Sequence, residues 1–423
     1  MQAKGTRDYP PEEKLLRNSI VHTIKSQFEK YGFLPLETAT LDSLDSLTSK
    51  FAGGEEILKE IYKLKDQGKR DLALRFDLTV PLARYIGENP HMKMPFKRYE
   101  IGKVFRDGPI KAGRLREFWQ CDGDVIGSAS MLADAEVLTL ARDVFKELNI
   151  DIVIKVNNRK LLNGIMAAAG ITKDKEHAIL SLDKLEKFGK EAVKKELKEK
   201  KFNDKQIKQL LDITLFKGTN DHVLAQLFPL LKDTEGVQGL KEIEELLSYL
   251  KAFGTKVQLD ISLARGLNYY TGTIYEVYTT SEKMTSSIAA GGRWDTMISK
   301  FLKTDRIYPA VGISFGLEPI TTVLTQPNPQ KTSVKAYVIP IGTVTESIKI
   351  LQKLRDANIS ADIDLLARNP GKALAYADAS NIPFAVLIGD EELKQKSVKI
   401  KDLKTGKEVT LIVDQAINML QKQ

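Results

Sequence analysis

Lys97-Arg98-Tyr99-Glu100-Ile101-Gly102-Lys103-Val104-Phe105-Arg106 reads as a strand, and Arg114-Leu115-Arg116-Glu117-Phe118-Trp119-Gln120-Cys121-Asp122-Gly123-Asp124 reads as its return. Between them, Asp107–Gly113 holds two glycines and a proline and reads as a loop. Side chains alternate along a strand, so Arg114, Arg116, Phe118, Gln120, Asp122 and Asp124 share one face. That face carries no aliphatic residue. It is a poor core and a good floor for a polar ligand; a solvated sheet face is the competing reading. Phe118 and Asp124 lie roughly 20 Å apart at strand rise, about the span of a nucleotide joined to an amino acid. The ring at one end suits a base. The carboxylate at the other suits a cationic or hydrogen-bonding group, and the arginines suit phosphates.

Further polar and glycine-rich clusters flank this hairpin. They are Leu74-Arg75-Phe76-Asp77-Leu78-Thr79-Val80-Pro81, Leu263-Ala264-Arg265-Gly266-Leu267-Asn268-Tyr269-Tyr270-Thr271-Gly272, Ala290-Gly291-Gly292-Arg293-Trp294-Asp295 and Gly312-Ile313-Ser314-Phe315-Gly316-Leu317-Glu318-Pro319. Glycines allow a ligand close to the backbone, and small residues on one strand face leave room for a flat group. Taken singly, each cluster is an ordinary turn; together they outline a site.

Around them, residues 13–31 have helical spacing at Leu16, Ile20, Ile24 and Phe28, ended by Gly32. Residues 131–148 repeat the pattern. The stretch 159–253 is helix-forming and charged, with eight lysines against four glutamates between Lys184 and Lys201. This run reads as a solvated helix with i,i+4 pairs, or alternatively as a basic arm over RNA. Thr325-Gln326-Pro327-Asn328-Pro329-Gln330 reads as a linker. After it, strand Ala336–Ile341, helix Thr345–Ala357, strand Pro383–Ile388 and a hairpin over Val398–Val413 describe a small α/β domain.

The chain has 423 residues, which predicts two or three domains. Apolar residues at 42% and charged residues at 28% exclude a largely disordered chain. No apolar run approaches the ~20 residues of a membrane span, and Met1–Asp8 carries no apolar leader segment. The single cysteine, Cys121, cannot anchor a multi-thiolate metal site or an internal disulfide and suits a reducing cytoplasm. Its position on the returning strand points it away from the ligand floor, as a packing residue. The four histidines have no metal-ligand spacing. A net charge of +8 is compatible with a polyanionic partner or with a basic solvated surface.

Lys4-Gly5-Thr6-Arg7-Asp8, Arg75-Phe76-Asp77-Leu78-Thr79, the Arg106–Asp124 hairpin, Arg265–Gly272 and Gly291-Gly292-Arg293-Trp294-Asp295 together resemble the histidyl-tRNA synthetases, a class II aminoacyl-tRNA synthetase family. The resemblance implies an α+β fold: an antiparallel sheet flanked by helices, with a helical insertion and a C-terminal α/β anticodon-binding domain. It divides the chain into a catalytic core at 1–158 and 254–325, an insertion at 159–253, a linker at 326–333 and an anticodon-binding domain at 334–423. It implies a cytoplasmic homodimer that takes L-histidine, ATP with Mg²⁺, and tRNA(His), with no tightly bound metal.

Carried over by motif, Arg106 and Arg265 are the catalytic cations. Asp77, Thr79 and Gln120 are expected around the substrate's α-amino group, Asp124, Tyr269 and Tyr270 around its imidazole, and Leu78 among the other histidine contacts. Arg106 and Arg265 also count among the histidine contacts. The ATP site is expected to use Arg106, Arg114, Arg116, Phe118, Gly291, Gly292, Arg293 and Gly316. Two positions depart from the family pattern. Ala39 stands where the first class II motif usually has proline, and Pro319 where the third usually has arginine. Arg293 or Arg114 is expected to compensate for that missing arginine. The rival reading is a non-catalytic paralogue, either the regulatory subunit of ATP phosphoribosyltransferase or an RNA-binding module.

Overall fold

A computed structural model describes residues 1–48, 58–110, 115–265, 269–325 and 331–422. The expected site residue Arg114, residues Gly266–Asn268 of the Arg265–Gly272 motif, and linker residues 326–330 lie outside it. The chain forms two compact units. One holds Met1–Arg7 with Ser19–Leu324, and the other holds Asp8–Asn18 with the segment from Thr325 onward.

The first unit is built on an eight-stranded sheet. Its strands are β1 (Leu34–Pro35), β5 (Phe96–Phe105), β6 (Glu117–Ile126), β7 (Ile152–Asn158), β8 (Gln258–Leu259), β9 (Thr273–Thr279), β10 (Ala289–Arg293) and β11 (Ala310–Gly316), in the order β1-β5-β6-β11-β10-β9-β7-β8. The six central strands pair antiparallel, and the short outer strands β1 and β8 pair parallel to their neighbours. A small second sheet pairs β2 (Leu41–Ser43), β4 (Asp71–Leu74) and β3 (Lys63–Lys65).

The hairpin that decides the fold is present as β5 and β6. Their register sets Arg98 opposite Asp124 and Glu100 opposite Asp122. Alternation then sorts the two faces. Tyr99 of β5, Cys121 of β6 and Phe315 of β11 lie on the back, all buried. There the ring of Phe28 stacks on Tyr99 with centroids 5.4 Å apart and meets Phe315 edge-on at 5.9 Å. Ile20, Ile24 and Phe28 are fully buried on the helix Pro11–Lys30, as the four-residue spacing predicts. Acidic residues in its first turn and Lys30 in its last suit the helix dipole.

Among the described residues, six α-helices and one short 3-10 helix run between β7 and β8, from Arg159–Ala168 to Thr234–Ala252. The first and last cross tightly: a Cβ at Gly164 or Gly236 would strike the other's backbone. Within the lysine-rich run, Lys184 and Lys200 each pair with Glu196 at 2.9 Å, and Lys198 pairs with Asp204 at 2.7 Å. These pairs fit the solvated-helix reading.

In the second unit, β12 (Ala336–Pro340), β13 (Ala361–Ile363), β14 (Phe384–Ile388), β15 (Ser397–Asp402) and β16 (Glu408–Ile412) form a sheet ordered β13-β12-β14-β15-β16. Its first three strands are parallel. Val338, Val386 and Ile388 pack under the helices Val344–Asp356 and Val413–Lys422, while Ile339 and Ala385 face Ala373 and Ala377 of the helix Pro370–Ala379. The terminal helix extends past the expected hairpin. Among the described residues, no helix is long and apolar enough to cross a membrane.

Candidate active site

A cavity of ≈ 290 Å³ opens over the polar face of β6. Phe118, Gln120, Asp122 and Asp124 form its floor, as the alternation requires. Gly291, Gly292, Gly312, Ser314 and Gly316 of β10 and β11 continue the floor. Asp77, Thr79, Arg106, Arg265, Tyr269 and Tyr270 rise around it. The glycine at 312 has a steric reason: a Cβ there would overlap Oδ1 of Asp124.

Each wall residue is held by local structure. Asp77 Oδ1 accepts from the Val80 amide at 3.0 Å, which fixes it at the start of the helix Thr79–Glu88. Arg106 donates from Nε to the Phe76 carbonyl at 2.9 Å and lies 5.1 Å from the Phe118 ring centre. Arg265 lies 5.3 Å from the Tyr270 ring, with Nε 3.9 Å from Glu276. Burial pushes both the Tyr269 and Tyr270 phenols up, so they stay protonated donors.

Below the floor runs a chain of buried charge. Arg98 Nη2 meets Asp124 Oδ2 at 2.7 Å and also donates to the Leu78 carbonyl at 3.0 Å. Arg98 Nη1 stands 3.7 Å from Glu100, and Glu100 pairs with Arg75 at 2.7 Å. Arg75 in turn donates to the carbonyls of Thr38 and Lys103. Arg98 thus ties the Asp77–Thr79 turn to Asp124 from beneath. Burial pushes the Asp124 carboxyl up to about 6, against the pull of Arg98. Burial likewise raises Asp77, opposed by the Val80 amide and by Arg106.

Several buried polar atoms around the cavity have no hydrogen-bond partner among the described residues. Gln120 Oε1 and Asp122 Oδ1 are acceptors on the floor, and Arg265 Nη1 is a donor on the wall. A buried polar group left unmatched costs about 1–3 kcal/mol, so these atoms call for a ligand that accepts at one end and donates at the other. An amino-acid zwitterion has that character. Among the described residues, no three His, Cys, Asp or Glu side chains form a set that could hold a metal ion.

The sequence of this chain matches the model of the family described as histidyl-tRNA synthetase over residues 5–320, and that of the anticodon binding domain over residues 335–423. A Bacillus anthracis protein described as histidine–tRNA ligase 1 is 44% identical over 424 residues, covering 99% of each chain. The solved histidyl-tRNA synthetase of Nostoc sp. PCC 7120 superposes with a TM-score of 0.90 at 31% identity, covering 100% of this chain and 99% of that one. This chain belongs to the histidyl-tRNA synthetase family. A structure from Bacillus halodurans C, described as an ATP phosphoribosyltransferase regulatory subunit/histidyl-tRNA synthetase, shares the fold with a TM-score of 0.77 at 20% identity, covering 92% of this chain and 97% of that one.

Within the synthetase frame, three residues expected at the site stand apart from the cavity. Leu78 is fully buried, and its carbonyl faces Arg98. Arg116 precedes β6; it pairs with Asp107 at 3.0 Å, donates to the Gly108 carbonyl and packs against Gly5. Arg293 is 2% exposed and committed to Asp134, Asp295 and the carbonyls of Ser128 and Ser130. A guanidinium held by that many partners cannot swing into the cavity. Arg293 therefore does not replace the cation missing at Pro319, which lines the cavity beside Glu318. The sequence reading also passed over Trp119 and Ser314. Ser314 accepts from Gln120 Nε2 at 2.9 Å, a contact set by the β6–β11 pairing rather than by any motif.

Proposed function

We infer that this chain is a histidine–tRNA ligase, an enzyme of the aminoacyl-tRNA ligase class. In the first step a carboxylate oxygen of L-histidine attacks the α-phosphorus of ATP. The bond to pyrophosphate breaks and histidyl-adenylate forms. In the second, the 3′-terminal ribose hydroxyl of tRNA(His) attacks the activated carbonyl, AMP leaves and the hydroxyl proton is lost. Such a displacement asks the protein for alignment and charge stabilisation rather than a covalent intermediate.

The observation that carries this reading is the polarity of the cavity. Unmatched acceptors line the floor at Gln120 and Asp122, and one guanidinium nitrogen, Nη1 of Arg265 on the wall, is an unmatched donor. In the proposed arrangement Asp77, Thr79 and Gln120 take the α-ammonium, and Asp124 with Tyr270 reads the imidazole beside Tyr269. Arg106 and Arg265 bracket the reacting carboxylate and phosphate, and the base stacks on Phe118 over the glycines of β10 and β11. A pocket that pairs a carboxylate with a phenol rejects side chains lacking the imidazole's donor and acceptor. Mg²⁺ arrives with ATP. The domain 334–423 meets tRNA, and the enzyme works as a homodimer in the cytoplasm.

Histidine-dependent exchange between ATP and pyrophosphate tests this directly. The wild-type protein is expected to catalyse it, and Arg265→Ala to lower it by roughly 10²–10³-fold. A wild-type protein without exchange at saturating ATP and Mg²⁺ is a binding protein rather than a ligase.

A further inference from the structure

Asp122 lies on β6 between Gln120 and Asp124 and is only 3% exposed. It lines the cavity, and its Oδ1 has no hydrogen-bond partner among the described residues. A hydrogen bond with Ser314 of β11 holds the carboxyl group in place. The charged and titratable groups facing it are Arg98 and Glu100 on β5, Asp124 on its own strand, Asp77 before the helix Thr79–Glu88, and Tyr270. Arg98 is already engaged with Asp124 and the Leu78 carbonyl. Carboxylates therefore crowd Asp122, the cavity's other cations, Arg106 and Arg265, stand on its wall, and Asp122 contributes to the lining a carboxyl group with one oxygen unmatched among the described residues.

We propose that Asp122 binds the amino-acid substrate directly, its Oδ1 accepting a hydrogen bond from the substrate's α-ammonium alongside Asp77 and Gln120. This rests on the histidine-activating reading above and adds a contact and a proton that the reading does not contain. Burial, reinforced by Asp124 and opposed by Arg98, pushes the Asp122 carboxyl up to about 8. At neutral pH the carboxyl holds its proton before substrate arrives. A docked ammonium favours the carboxylate, so the O–H bond breaks, the proton passes to solvent and an N–H···O hydrogen bond forms in its place. Histidine binding is then coupled to proton release, and affinity rises with pH through the Asp122 titration.

Asp122→Asn tests this with little risk to folding, because the amide imitates the protonated acid and keeps its hydrogen bond with Ser314. Calorimetric titration of the full-length protein with L-histidine, in two buffers of different ionisation enthalpy at pH 7, counts the protons. The wild type is expected to release about half a proton or more per histidine, and the variant close to none. The KM for histidine in pyrophosphate exchange should rise about tenfold in the variant, with the KM for ATP within about twofold. Imidazolepropionate, which lacks the ammonium, should inhibit both proteins equally. An unchanged histidine KM with unchanged proton release overturns the proposal. So does a parallel rise in both KM values with a lowered unfolding midpoint, which marks a structural role. Absence of exchange in the wild type overturns the histidine reading instead.

Discussion

On β5 and β6 of the eight-stranded sheet, Arg98, Glu100, Asp122 and Asp124 sit side by side at 3% exposure or less. On β12 and β14 of the five-stranded sheet, the equivalent central positions hold Ala336, Val338, Ala385, Val386 and Ile388. The exception there is Tyr337 of β12, which donates to Asp364 just past β13, and Asp364 pairs with Arg368. Both sheets are central and covered, so burial alone does not explain the contrast. At these central positions, buried charge lies beneath the cavity on the first sheet and is replaced by apolar side chains on the second. The first sheet accepts the cost of desolvated ions beneath its cavity, whereas the second packs apolar side chains at the corresponding positions.

The contrast breaks most severely at Arg98. Arg98→Met strands Asp124 while Glu100 keeps Arg75 and Thr38, and a loss of about 3–5 kcal/mol in urea unfolding of the first unit is expected. Arg98→Met with Asp124→Asn should recover part of that loss, because one stranded charge is gone. The matching cut in the second sheet is Ile388→Ala, expected to cost about 2–4 kcal/mol through its cavity. At temperatures where both units remain folded, its histidine-dependent pyrophosphate exchange should equal the wild type's. A marked fall would show that the second sheet also shapes the adenylation site.

The units should also answer pH in opposite directions. Asp122 and Asp124 have folded pKa values raised to about 8 and about 6. Their contribution to stability is present in full below the unfolded carboxylate range and is lost as pH climbs through those values. In the second unit, backbone and side-chain hydrogen bonds from Arg368 hold Asp364 down against burial. Hydrogen bonds from Thr405 hold Asp402 down. Their contribution is present above the usual carboxylate range and fades as pH falls through their lowered values. Calorimetric scans from pH 4 to pH 8 should therefore show the first unit's transition falling with pH, a slope that Asp122→Asn flattens. The smallest effect concerns the nucleotide. Pro319→Arg should lower the KM for ATP by about 2–5-fold, the worth of one exposed ion pair, with folding intact. No change would mean that the cavity already holds its phosphates by other groups.

Much of this was legible in the sequence, for reasons that also mark where reading stops. Strand alternation is a local property, so Phe118, Gln120, Asp122 and Asp124 were assigned to one face without knowing any partner strand. Helix spacing likewise fixed the buried stripe Ile20, Ile24 and Phe28. Ion pairing is not local. Arg116 and Arg293 look like free cations in the chain, but the fold gives them Asp107 and Asp134 as partners, the second from a helix beginning at Met131. Arg98 was passed over for the complementary reason. Its importance comes from standing opposite Asp124 across β5 and β6, a register that no single motif contains. The unmatched oxygen of Asp122 depends on three adjacent strands at once.

Gly312 and Asp124 share one volume, since a side chain on the first would occupy the space of the second's carboxylate. For anyone redesigning the pocket toward another amino acid, the two positions are a single locus. Lengthening or branching residue 124 closes the room above a strand that has already given up its side chain. Shortening residue 124 is what makes residue 312 mutable at all. Libraries that vary either position alone will sample mostly collisions or voids, while paired variation opens a continuous path between pocket shapes.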